Sequence, residues 1–241
     1  MQVVEIADKK VADLVTENIN NAHVFKKYGI DFCCGGGISV QRACDKNNVD
    51  ISQITDELNA NNENRQHFNY TDWDLSFLAK HIENVHHKYV EENIPILKQY
   101  ADKVKKVHGD HSPELLEIKS IFDNVAAELT AHLKKEELIL FPFIEKMEKA
   151  DQENKEIDKP HFGTVDNPIN MMEDEHESAG NAFKEIARLS NQYQPPEHAC
   201  NTYRALYHKL NEFEQDLHLH IHLENNILFP KAIQLEKKIF S

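Results

Sequence analysis

The chain has 241 residues, and its 41 acidic against 27 basic side chains give a formal net charge of −14 at pH 7 with its 15 histidines neutral. Such a balance excludes binding to a nucleic-acid backbone, which needs clustered Lys and Arg, and disfavours anionic membrane surfaces. No run approaches the ~18 uninterrupted apolar residues that span a bilayer, Met1-Gln2-Val3-Val4-Glu5 lacks a basic start leading into an apolar stretch, and four cysteines make no secreted disulfide framework; the expected location is the cytoplasm.

In chain order, residues 1–62 predict a small helical module. Val3 to Val15 and Asn20 to Tyr28 carry apolar residues at helical spacing. The chain then breaks at Gly29-Ile30-Asp31-Phe32-Cys33-Cys34-Gly35-Gly36-Gly37, where successive glycines allow positive φ and close backbone approach. Val40 to Lys46 and Ile51 to Ala60, the latter preceded by Asp50, read as two more short helices. A unit of this size buries little core by itself, so it is expected to dock on the rest of the chain or on a partner. The polar stretch Asn59 to Gln66 leads into an expected linker over 63–71.

Residues 72–241 predict four long helices, most simply an all-α, up-down-up-down bundle. Thr71-Asp72-Trp73-Asp74 reads as a capping box opening the first, with Trp73 a packing residue and Pro95 expected to kink the helix further on. Ser112 as N-cap and Pro113 at the first helical position open the second, which runs through His132 and Glu136 to about Lys149. Asp166-Asn167-Pro168 starts the third, through His176 to about Asn191. Pro195-Pro196 precedes the fourth, which carries His220 and Glu224 and ends near Lys238.

The chemistry lies in a repeat. His132-x-x-x-Glu136 precedes an apolar run ending in Leu140-Phe141-Pro142, and His220-x-x-x-Glu224 precedes one ending in Leu228-Phe229-Pro230. Positions i and i+4 share a helix face, so each copy points an imidazole and a carboxylate the same way. The first helix offers His87, 45 positions before His132, and the third offers His176, 44 positions before His220. Two tandem hairpins of this kind fold about an approximate two-fold axis, which would run between two metal ions. His87 is preferred to His81 and His86 on that spacing, with His86 the next choice. Within Leu217 to Glu224 the pairs His218/His222 and His220/Glu224 compete for the inward face. The Leu-Phe-Pro register selects His220/Glu224 and leaves His218 and His222 at the surface or edge.

Burying four imidazoles and two carboxylates costs many kcal/mol unless something pairs them; the competing reading is an ordinary bundle with these pairs on its surface. A mixed imidazole and carboxylate set with open positions suits iron, then manganese. Structural zinc would favour thiolates, and magnesium or calcium all-oxygen sets. Glu128, one turn before His132, and Glu175, beside His176, are either supporting carboxylates that steer iron or protons, or solvated surface charges.

Cys33 and Cys34 are expected as thiols, because a disulfide between neighbours closes a small strained ring. Backbone amides of the glycine turn would lower a thiol pKa there. The pair would then serve transient metal or nitrosyl binding, cluster handover, or exchange with a partner; the alternative is a buried pair shaping a tight turn. Cys44 and Cys200 read as ordinary buried or half-buried residues.

The Tyr28 to Gly36 double-cysteine loop, followed by two His-x-x-x-Glu…Leu-Phe-Pro segments, resembles the iron–sulfur cluster repair proteins, whose bundle is hemerythrin-like, and the resemblance covers nearly the whole chain. It implies two non-haem iron ions per chain, with room for an oxo bridge, held by His87, His132, Glu136, His176, His220 and Glu224. It also implies a cytoplasmic homodimer that helps restore iron–sulfur proteins damaged by nitrosative and oxidative stress, by donating iron. Two alternatives use the same site: an oxygen or nitric oxide carrier or sensor, and an enzyme reducing nitric oxide. Oxygen-carrying hemerythrins have a more His-rich third helix, whereas here Gly180 stands four positions after His176. Simple gas carriage also has no use for vicinal thiols, so repair ranks first.

Overall fold

A computed structural model describes residues 6–63 and 69–240, which form eight helices and no strands; residues 64–68 of the expected linker lie outside the described residues. The leading module holds α1 (Val11–Glu17), α2 (Asn21–Lys27), α3 (Val40–Asn47) and α4 (Ile51–Glu63). Asp50 caps α4 by accepting the Ser52 amide at 2.9 Å. Asn48, in the left-handed region at φ 53°, ends α3.

The module does not stand apart. Its buried Val11, Leu14, Phe25, Phe32 and Ile54 belong to one continuous core with Val90, Leu97, Phe122 and Phe213 of the bundle. Lys26 pairs with Glu214 at 2.9 Å, and Asn226 Nδ2 donates to the Cys33 carbonyl at 3.2 Å. This docking corrects the expectation for His218 and His222. Phe32 packs edge-on against both rings at 5.9 Å, so His222 is fully buried and His218 partly so. The face of α8 opposite His220 and Glu224 is covered by the module, not by water.

The bundle comprises α5 (Leu75–Ile82, a π-turn Glu83–His87, then Lys88–His108), α6 (Glu114–Lys135, a π-turn Glu136–Leu140, then Phe141–Glu153), α7 (Asp166–Leu189) and α8 (Asn201–Leu223, a π-turn Glu224–Leu228, then Phe229–Phe240). Each helix packs on its two neighbours in a closed ring. The Thr71 capping box is not made: Tyr70–Asp72 is a 3₁₀ turn, and the first free amides of α5, Leu75 and Ser76, donate to Glu148 of α6 at 2.6 and 2.9 Å. α5 continues through Pro95. The carbonyl its ring deprives of a partner belongs to Glu91, on the exposed side where water serves.

Two of the π-turns end immediately before Phe141-Pro142 and Phe229-Pro230. A proline cannot donate to the carbonyl four residues back and crowds it; a turn widened by one residue takes up the mismatch. The bundle core splits at the level of these turns. Leu129, Leu133, Phe183, Leu217 and Ile221 lie in the larger apolar cluster with the module. Leu78, Ile82, Leu140, Ile144, Met172, Leu228 and Phe229 form a second cluster at the other end. Between them lies a polar layer.

Candidate metal centre

That layer contains all six residues expected as ligands. His87, His132, Glu136, His176, His220 and Glu224 are each at most 2% exposed. Their donor atoms fall into two overlapping groups, His87, Glu136, His220 and Glu224, and His132, Glu136, His176 and Glu224, each with its atoms within 4.8 Å of one another. Exchanging the two hairpins carries His87 to His176, His132 to His220 and Glu136 to Glu224, and so carries one group onto the other. Each group therefore takes one imidazole from each hairpin, while both carboxylates belong to both groups.

Four of the inner atoms stand as orphans, although His220 Nε2 meets Glu224 Oε1 at 3.0 Å. His87 Nε2, both Glu136 oxygens and Glu224 Oε2 are buried without an aligned hydrogen bond, although imidazoles lie near the carboxylates: His87 Nε2 is 3.4 Å and His132 Nε2 3.3 Å from Glu136 Oε2, and His176 Nε2 is 3.2 Å from Glu224 Oε2. Orphaned buried polar atoms at this density are costly unless a cation completes them. The Nε2 atoms of His132 and His176 face each other at 3.0 Å. Two nitrogens about 2.1 Å from one cation and at right angles to each other would sit about 3 Å apart. The donor set fits a pair of metal ions.

The outward nitrogens say which atom faces in. His87 Nδ1 meets Glu137 at 3.1 Å, His132 Nδ1 meets Glu175 at 2.8 Å, and His176 Nδ1 meets Asn225 at 2.8 Å. Donation from Nδ1 leaves Nε2 as the inward lone pair. Glu137 and Glu175 are themselves held by the adjacent Lys134 and Lys135, so two ligands are braced through carboxylates to surface lysines. His220 lacks such a partner, since its Nδ1 is orphaned. Instead His86 stacks on its face, centroids 5.7 Å apart and 10° from parallel, and is anchored by Asp216 at 2.9 Å. His87 thus faces the centre, and His86 supports a neighbouring ring.

Of the two carboxylates expected near the site, Glu175 contacts His132, whereas Glu128 lies on the exposed face of α6. Glu137 and Asn225 escaped the sequence reading; their only signal is adjacency to Glu136 and Glu224. Replacing Glu175 or Glu137 with glutamine should weaken metal binding about 10–100-fold, measurable by chelator competition, while the bundle stays folded.

Charge in the metal-free centre is balanced by protons. Burial disfavours the cationic form of His87 and His132, but Glu136 and Glu224 outweigh it and lift them to about 10 and about 9. Burial and mutual repulsion likewise oppose ionisation of Glu136, yet the facing imidazoles hold it below the ordinary carboxylate value; Glu224, also opposed by burial, is held well below by His220 and His176.

The sequence places this centre among known proteins. Residues 79–232 match the hemerythrin HHE cation binding domain, and residues 7–62 match a domain of unknown function, DUF542. Iron-sulfur cluster repair protein ScdA of Staphylococcus haemolyticus is 34% identical over 92% of this chain and 96% of its own length. The chain belongs to the iron–sulfur cluster repair family. A probable iron-sulfur cluster repair protein of Haemophilus influenzae is 34% identical over 94% of this chain and 97% of its own length. Iron-sulfur cluster repair protein YtfE of Yersinia pseudotuberculosis is 36% identical over 88% and 91%. This family member therefore carries a cation-binding bundle behind a docked double-cysteine module, and no described helix is long and apolar enough to cross a membrane.

The cysteines divide. Cys33 and Cys44 are buried, Cys34 and Cys200 exposed, and all four are free thiols. Cys200 is thus not the buried filler expected: it stands at the start of α8 with its sulfur 3.2 Å from His108 Nε2. Two amides of the double-cysteine turn serve a carboxylate rather than a thiol. Those of Cys33 and Gly35 both donate to Asp31 Oδ1 at 3.1 Å.

Proposed function

We propose that this protein binds two iron ions through His87, His132, Glu136, His176, His220 and Glu224 and supports repair of damaged iron–sulfur clusters by giving up that iron. The observation carrying the reading is the pair of interlocked donor groups that share Glu136 and Glu224 and otherwise leave both Glu136 oxygens and Glu224 Oε2 without a hydrogen bond. A redox-active iron pair with exchangeable positions supplies both releasable metal and a site for nitric oxide or oxygen. The names of the relatives, which are those of cluster repair proteins, support repair over gas carriage.

The chain's own groups make release feasible. Every protein ligand is an imidazole or a carboxylate, so none forms the thiolate cage that holds metal most tightly. Glu175, with a side chain one-third exposed, links His132 to solvent and to Lys135. Movement of that carboxylate would free Nδ1 of His132 and loosen one ligand without unfolding a helix. As iron leaves, His87 and His132 take up protons and keep Glu136 and Glu224 neutralised. A cytoplasmic setting, supported by the four free thiols, and a homodimer belong to the same proposal; light scattering tests the latter.

The direct test is reactivation of a cluster enzyme inactivated by nitric oxide. Iron-loaded protein should restore activity and lose iron in proportion, while metal-free protein should not. Unchanged iron content alongside restored activity would exclude donation, and steady consumption of nitric oxide with a reductant would favour the reductase reading.

A further inference from the structure

Between the double-cysteine turn and α7 lies a cleft of about 840 Å³, which reaches the edge of the polar layer at Asn225, the partner of His176. The exposed Cys34 lines it, with Lys46 on the module side and Glu173, Asp174 and Glu177 on α7. Among the described residues none of these four charged groups has an ion-pair partner. Lys184, also lining the cleft, is paired with Asp31 at 2.8 Å. The cleft is therefore a thiol facing three uncommitted carboxylates and one uncommitted ammonium group.

The two cysteines differ in what they can do. Cys33 is 6% exposed, and its Sγ donates to Asp31 Oδ1 at 3.4 Å. Although burial opposes ionisation, Lys184 and the Gly35 amide hold Asp31 down at about 2, so that oxygen is anionic at any working pH. Cys33 is correspondingly pushed well above the ordinary thiol range by its hydrogen bond with Cys34, by burial and by Asp31. The turn is closely packed at this point: a Cβ on Gly36 would lie 2.4 Å from the Phe32 carbonyl oxygen. The other two thiols are not exposed in this cleft. Cys44 is 1% exposed, and Cys200 precedes the start of α8, about 36 Å along the helix from Glu224 at 1.5 Å per residue.

We propose that Cys34 alone is a thiol–disulfide exchange site, and that its cleft admits small disulfides carrying an ammonium group, an aminothiol in oxidised form. In the exchange the Cys34 thiolate attacks one sulfur of the disulfide. The new bond from Sγ forms as the reagent's S–S bond breaks, and the departing thiolate carries off the electron pair and takes a proton from solvent. Cys34 is oxidised and the reagent reduced to one free thiol. With Cys33 held as a buried thiol, the mixed disulfide has no internal thiolate to resolve it, so it persists until an external thiol removes it. The acidic wall of α7 attracts the ammonium group, and Lys46 suits the carboxylate of an amino-acid disulfide such as cystine. This inference goes beyond iron handling and stands or falls without it.

The test uses the full-length, iron-loaded chain with three probes: cystamine (cationic), hydroxyethyl disulfide (neutral) and dithiodipropionate (anionic). Adducts are located by peptide mass spectrometry, and rates are taken relative to the same reagents on free cysteine. Cystamine should modify Cys34 and not Cys33, about tenfold faster than the neutral reagent after that correction, as two or three partly exposed charge contacts allow, with dithiodipropionate slowest. Cys33→Ser should keep the adduct, Cys34→Ser should lose it, and Glu173→Gln with Asp174→Asn should cut the cystamine preference to about threefold or less. Modification of Cys33, a Cys33–Cys34 disulfide in place of an adduct, or equal corrected rates for the three probes would overturn the proposal.

Discussion

Glu136→Ala or Glu224→Ala is expected to remove both iron ions, whereas His87→Ala or His220→Ala removes one. The asymmetry follows from the donor groups, because each glutamate belongs to both and each histidine to one. Losing Glu224 takes both groups from four protein donors to three and deletes the negative charge that holds two cations close together. It also strands His176 and His220, which approach Glu224 at 3.2 and 3.0 Å. Losing His220 leaves the group of His132, Glu136, His176 and Glu224 complete. Metal content per chain, with circular dichroism to confirm folding, decides the matter. A Glu224→Ala protein that still holds two irons against a chelator would show that these carboxylates do not bridge, and the assignment of ligands would fail with it.

The metal-free protein should lose stability as pH rises from about 8 to 10, by on the order of 5–10 °C in Tm, while the iron-loaded protein should not. His87 and His132 stand at about 10 and about 9 in the fold against 6.5 for the free side chain. Groups raised by folding bind more protons when folded. Their contribution is complete below about 6.5 and disappears as pH climbs through 9 and 10. Glu136 and Glu224 are shifted the other way, so their contribution is complete above about 4.5 and is lost as pH falls below that. Metal-free stability is therefore greatest between these limits. In the proposed iron-loaded state the metal would replace the protons on His87 and His132, and loading near neutrality should release them, seen as a buffer-dependent heat of binding. A metal-free Tm that is flat from pH 8 to 10 would mean these imidazoles are already neutral.

The meeting of these six side chains in one layer was legible in the sequence because two independent periodicities agree. The i,i+4 spacing pairs an imidazole with a carboxylate, and the distance to Leu-Phe-Pro chooses between overlapping pairs in α8. The number and order of the helices followed from the prolines and polar joints. Three features were out of reach for physical reasons. The burial of His218 and His222 depends on Phe32, some 190 positions away, and no local pattern encodes a docking partner. The cap on α5 comes from Glu148 rather than from Thr71, since a tertiary carboxylate displaces the local one. Glu137 supports His87 and Glu128 supports nothing, although both are acidic and within one turn of a ligand. Glu137 lies within the π-turn Glu136–Leu140, which spacing alone does not reveal.

Those widened turns have a consequence for the whole molecule. Each adds one residue without adding a full α-helical step, so in α5, α6 and α8 the segments above and below the polar layer are set about 100° out of phase with an unbroken helix. Deleting one residue within 224–228 would restore a regular pitch and rotate Phe229–Phe240 by that angle, turning the fully buried Phe229 and Ala232 toward water. The two apolar halves are consequently keyed to each other through a fixed offset, and the spacing between Glu224 and Pro230 is an angular setting that tolerates substitution but not a change of length.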